Sequence, residues 1–125
     1  LYEYPALIDS RCRDWAINEE QLARLEELAR RCQAEGVALT LVLPPMAQNV
    51  RTQVCEKYGI DDAMLETVLP LLDRWADETG MTVLDYEWSG SCITDDDTQF
   101  YDGFHLDEVY GLPDWTRQLF GDLDR

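Results

Sequence analysis

The apolar positions of this chain come in two successive patterns, a helical one and then a short continuous run. Between Asn18 and Gly36, the residues Leu22, Leu25, Leu28, Ala29 and Cys32 recur at the steps of an α-helix and predict one buried stripe. Asn18 suits the N-cap, Gln21 completes a capping box, and Glu19 and Glu20 favour the positive helix end. Arg30 and Arg31 suit the negative end, and Gly36 the position just past it. Val37 to Leu43 (VALTLVL) then reads as a strand, halted by Pro44-Pro45. An apolar run directly after a helix predicts a strand buried on both faces, as in a parallel sheet.

The cycle then repeats. Met46 to Tyr58 is expected to be helical in part, ending before Gly59. Asp61 or Asp62 is placed to cap a further helix reaching about Thr79, and Pro70 inside it should kink or divide it. Met81 to Tyr86 (MTVLDY) reads as a second buried strand. Glu87 to Gln99 has the texture of a loop, and Leu106 to Leu123 that of a last helix with irregular turns around Gly111 and Pro113. Residues 1–17 have no clear period and predict an extended or irregular lead-in around Pro5. No repeat or linker divides residues 1–125, so the expectation is one α/β domain with a layered, parallel sheet and right-handed crossovers. Two strands make a poor sheet, and the chain starts at Leu1 without a leader, so we expect an incomplete portion with further strands upstream.

Charge narrows the partners. The net charge of −16 repels phosphate backbones and anionic membrane surfaces, so nucleic acid is a poor partner. No apolar run is long enough to span a bilayer. Cys12, Cys32, Cys55 and Cys92 contain no CxxC, which removes support for a zinc ribbon or a thioredoxin-type site. Their even number permits two disulfides in an oxidising compartment, but Cys32 reads more simply as a small apolar residue on its helix.

The candidate chemistry centres on the sole histidine, His105, within Tyr101-Asp102-Gly103-Phe104-His105-Leu106. An aspartate three positions ahead of a histidine on one turn can hold the imidazole Nδ1 and leave Nε2 free to take a proton. Gly103 permits the turn between them. A satisfied structural histidine is the competing reading. In open α/β sheets ligands gather at the carboxyl ends of the strands. The loop leaving the second strand and the prolines leaving the first both lead to that edge, if the strands are parallel.

Taken together, LVLPP after a helix ending in glycine, MTVLDY after a second helix, and FYDGFHL before an amphipathic helix resemble the C-terminal half of SGNH/GDSL hydrolases. The likeness is greatest to the cell-envelope branch with the alginate O-acetylation and teichoic-acid D-alanylation proteins. It implies a three-layer α/β/α sandwich, and ester hydrolysis or O-acyl transfer on a small acyl ester or acylated glycan. In that scheme His105 is the general base and Asp102 its orienting carboxylate. No metal or organic cofactor is implied, and an extracytoplasmic or periplasmic location is favoured. The family's Gly-Asp-Ser nucleophile block and its oxyanion Gly and Asn blocks are missing from these residues. Asp9-Ser10 is a weak substitute, since Ile8 stands where the glycine belongs, and a serine upstream of Leu1 fits better. An inactive relative that binds a glycan or protein is the alternative.

Other residues offer weaker chemistry. Asp95, Asp96, Asp97, Asp102 and Asp107 could gather round calcium, but they lack EF-hand spacing and read more simply as a solvated acidic loop. Ser89 and Ser91 flank Gly90 and are turn formers before they are nucleophiles. Trp88 and Phe104 suit an acyl or sugar pocket or plain packing, and Trp75 and Trp115 read as core or interface.

Overall fold

In the computed structural model, which describes residues 4–89, 92, 94 and 96–125, helices flank a small parallel sheet. The sheet pairs β1 (Thr40–Leu43) with β2 (Thr82–Asp85), with Thr40 opposite Thr82 and Leu43 opposite Asp85. The connection between them is helical for most of its length.

The first helix departs from the sequence expectation. Residues Tyr4–Cys12 form α1 rather than an irregular lead-in. Proline is tolerated in a first helical turn, and this helix is amphipathic only locally. Its Ile8 is buried in a cluster with Met46, Val50, Val54 and Trp88, so docking rather than periodicity explains it.

The second helix, α2 (Glu19–Glu35), follows its sequence signals closely. Asn18 Oδ1 accepts a hydrogen bond from the Gln21 amide at 3.1 Å, and Gly36 closes the helix in the left-handed region at φ 70°. Ala29 is buried, with Leu22 and Leu25 packed beside it against Leu72, Trp75 and Met81. Leu28 is a correction: it stands 47% exposed at the margin of the stripe. Arg30 binds Glu26 and Glu78, each at 2.7 Å, so it joins α2 to the helix before β2. The helix runs on to Glu35, so Arg30 and Arg31 lie before its last turn, which holds no basic residue to meet the dipole.

Both strands are shorter and less covered than the apolar runs suggested. Val37 is 54% exposed, and no residue of either strand is fully buried. The correction has a physical source. Leu41, Leu43 and Val83 pack toward α2 and the helix that precedes β2, whereas a sheet of two strands cannot wrap the opposite face.

After β1 the chain passes Pro44 to Ala47 and enters α3 (Gln48–Val50), which widens into a π-helical turn at Arg51–Cys55. Then come α4 (Ile60–Ala63), a second π-turn (Met64–Val68) and α5 (Leu69–Thr79). Asp61 and Asp62 lie in the first turn of α4 and Gly59 holds the cap, so neither aspartate is the cap itself. Pro70 falls in the first turn of α5, directly after the π-turn, where a missing N–H is tolerated. The last helix, α6, is Leu112–Leu123; Leu106 lies in a β-bridge and residues 108–111 form turns instead of its beginning. It meets the end of β2 through Tyr86, whose ring stands edge-on to Trp115 at 5.8 Å and whose hydroxyl donates to Asp122 at 2.7 Å.

Candidate functional site

Because β1 and β2 are parallel, the segments leaving them, Pro44 to Ala47 and Tyr86 to Ser89, share the carboxyl edge of the sheet. The residues from Phe100 to Leu106 are pinned to that edge. Phe100 and Leu106 form an antiparallel bridge, and the Tyr101 amide donates to the His105 carbonyl at 2.7 Å. The resulting tight loop projects Asp102 to His105. Its tip is fastened to the sheet edge by the Ala47 amide, which donates to the Gly103 carbonyl at 2.8 Å. Gly103 has φ 91°, a conformation closed to most side-chain-bearing residues, so glycine is required there. A second tie comes from the Asn49 amide, which donates to Asp97 Oδ1 at 3.0 Å.

Asp102 organises the loop with both oxygens. Oδ1 accepts the amides of Phe104 at 3.1 Å and His105 at 2.8 Å, while Oδ2 lies 2.7 Å from His105 Nδ1. An ionised carboxylate only accepts, so the short contact selects the tautomer with its proton on Nδ1 and a lone pair on Nε2. Burial pushes the Asp102 carboxyl up, but the His105 imidazole and the two amides outweigh it and hold it below the ordinary aspartate value. The His105 side chain is 78% exposed, against 34% for Asp102. The imidazole opens onto a recess of about 450 Å³ lined by Tyr101, Leu106, Asp107, Glu108 and Val109. Phe104, Tyr101, Val109 and Tyr110 are exposed apolar neighbours in sequence.

The remaining candidates separate cleanly. Ser10 lies on the exposed face of α1, its hydroxyl donating to the Leu7 carbonyl at 2.8 Å, and it does not line the recess beside His105. Ser89 donates to the Asp85 carbonyl at 2.6 Å, the turn role expected of it; Ser91 and Asp95 lie outside the described residues. The other acidic residues turn toward backbone. Asp96 accepts from the Thr98 amide, Asp97 from Asn49, and Asp107 from Val109 and Tyr110. Among the described residues no group of three or more His, Cys, Asp or Glu is placed to hold a metal ion. Trp88 and Trp75 are core residues, 7% and 2% exposed, whereas Phe104 is 45% exposed beside the histidine. No described helix is long and apolar enough to cross a membrane.

One residue at this edge escaped the sequence reading. Glu87, two positions past β2, has its carboxyl pushed up to about 7, first by burial and then by the neighbouring Asp85 charge, with Arg51 opposing. Arg51 lies over the Trp88 ring at 5.6 Å and donates to the Trp88 carbonyl at 3.2 Å. An acid directly after an apolar strand and before a buried tryptophan was the available signal. It was hidden by the polar composition of the loop that follows.

Comparison of the chain with protein-family models, with curated proteins and with solved structures gives no match.

Proposed function

We propose that the Asp102–His105 loop is the acid–base half of a serine esterase or O-acyltransferase of SGNH/GDSL type. Its substrate would be a small acyl ester or an acylated cell-envelope glycan in an extracytoplasmic setting. The observation that carries this reading is the 2.7 Å contact between His105 Nδ1 and Asp102 Oδ2, held at the carboxyl edge of a parallel sheet with the rest of the imidazole open to solvent. The exposed ring leaves Nε2 within reach of a partner, as a general base requires.

In the proposed reaction a serine from outside these residues attacks the ester carbonyl while His105 Nε2 takes its proton. The Asp102 carboxylate stabilises the imidazolium that forms. His105 then returns the proton to the departing alkoxide, leaving an acyl-serine. In the second half His105 activates water, giving hydrolysis, or an acceptor hydroxyl, giving transfer. The exposed Tyr101 and Phe104 offer apolar faces to the acyl group or to a sugar ring.

A second reading is a non-enzymatic relative that binds a glycan or protein through the same loop. The exposed apolar run of Tyr101, Phe104, Val109 and Tyr110 favours it, since such surface serves binding with or without catalysis. Labelling of the full-length protein with a fluorophosphonate separates the two. The enzyme reading expects one serine labelled, with labelling and turnover both lost in His105→Ala while the circular dichroism spectrum is kept. Asp102→Asn should lower turnover by about 10²–10⁴-fold. Absence of labelling in the wild type overturns the enzyme reading and leaves the binding one, and normal turnover in His105→Ala overturns the catalytic assignment.

A further inference from the structure

One face holds α1 to the rest of the molecule. Ile8 and Cys12 lie one helical turn apart on that face, and both pack into the cluster that contains Val54 and Cys55. Asp9 fixes the position of α1 along the 51–58 segment, accepting from Lys57 Nζ at 2.7 Å and from the Tyr58 hydroxyl at 2.7 Å. Cys12 is thereby set against the cluster at a partly exposed position, while Cys55 is 4% exposed with its Sγ 3.9 Å from Met46 Sδ. The other two cysteines are placed apart from this pair. Cys32 lies on α2, and Cys92 Sγ is 2.8 Å from the Thr94 hydroxyl in the loop after β2. All four thiols are free.

We propose that Cys12 and Cys55 are a disulfide-forming pair which, once oxidised, staples α1 to the helical segment that follows β1. The oxidant is a disulfide, either that of oxidised glutathione or that of a thiol oxidoreductase. Cys12, the more accessible, attacks one sulfur of the oxidant as its thiolate, releasing one thiol and leaving a mixed disulfide. Cys55 then attacks the Cys12 sulfur and expels the second thiol. Two protein thiols become one disulfide, the oxidant is reduced to two thiols, and the two protons end on those thiols. The order follows from accessibility. Cys55, only 4% exposed, is closed to an external oxidant and meets a disulfide sulfur only once Cys12 carries the mixed disulfide. This inference stands independently of the catalytic reading.

The test is peptide mapping of the folded chain after incubation with oxidised glutathione and alkylation of remaining thiols. Trypsin cuts after Arg11, Arg13, Arg51 and Lys57, releasing residues 12–13 and 52–57 as separate peptides. The proposal expects these two peptides joined in a reducible species, well above any pairing with Cys32 or Cys92. It also expects the oxidised wild type to melt several degrees above the reduced form, with no such shift in Cys12→Ser or Cys55→Ser. Separate alkylation of Cys12 and Cys55 after oxidation, or comparable yields of pairs with Cys32 or Cys92, overturns it. If Cys55→Ser fails to fold, the Cys12→Ser comparison alone decides, because that side chain is only partly buried.

Discussion

Replacing Glu87 with glutamine should stabilise the protein at neutral and alkaline pH and change little in acid. In the folded state the carboxyl is raised from an ordinary 4.5 to about 7, through burial and the Asp85 charge. Between those values the folded protein keeps a proton that the unfolded chain has released. Wild-type stability from this group is therefore fully present below about 4.5 and is lost as pH rises through 7. The displacement corresponds to a ceiling of about 3 kcal/mol at 1.36 kcal/mol per unit. Glu87 is only partly buried, so solvent screening reduces the expected effect to roughly 1–2 kcal/mol. Glutamine keeps the shape and cannot ionise. Urea denaturation of both proteins from pH 4 to pH 9 should show a stability difference that opens between pH 4.5 and 7 and is flat above. A difference independent of pH, or one favouring the wild type as pH rises, would refute the reasoning and mean that Arg51 compensates the charge in full.

Two further substitutions probe the frame that holds the site. Gly111→Ala would drive its Cβ into the Gln99 carbonyl oxygen, a backbone atom that cannot step aside. We expect a loss of about 1–3 kcal/mol in thermal or urea melts, and a melt unchanged from wild type would show that the 99–111 packing is wrong. Asn18→Ala removes the oxygen that accepts the Gln21 amide, and α2 should lose about 1 kcal/mol of cap stabilisation, read by urea denaturation. Asn18→Ser should restore most of it.

The Asp102–His105 pair shows how local chemistry can be legible before the fold. The spacing of a carboxylate three residues before an imidazole, with glycine between, is enough to predict the Nδ1 contact, because all the atoms involved belong to one turn. Where that turn sits is another matter. The bond from the Ala47 amide to the Gly103 carbonyl joins residues far apart in sequence, and nothing in either segment announces it.

The same division runs through the whole chain. Asn18, Gly36 and Gly80 mark helix ends by themselves, because caps are satisfied within a few residues. The helix–strand alternation likewise follows from local periodicity and predicts the parallel pairing of β1 and β2. Tertiary structure decided the rest. It made a helix of residues 4–12, whose own pattern is weak, by giving Ile8 a pocket to fill. It exposed Leu28 and Val37, apolar residues whose burial depended on neighbours that lie elsewhere. It also raised the Glu87 carboxyl, since the burial that is the largest cause, and the approach of Arg51 that opposes it, belong to the assembled edge and not to the residue. Short-range hydrogen bonding and periodicity are written in consecutive residues, whereas burial and long-range charge exist only once distant segments have met.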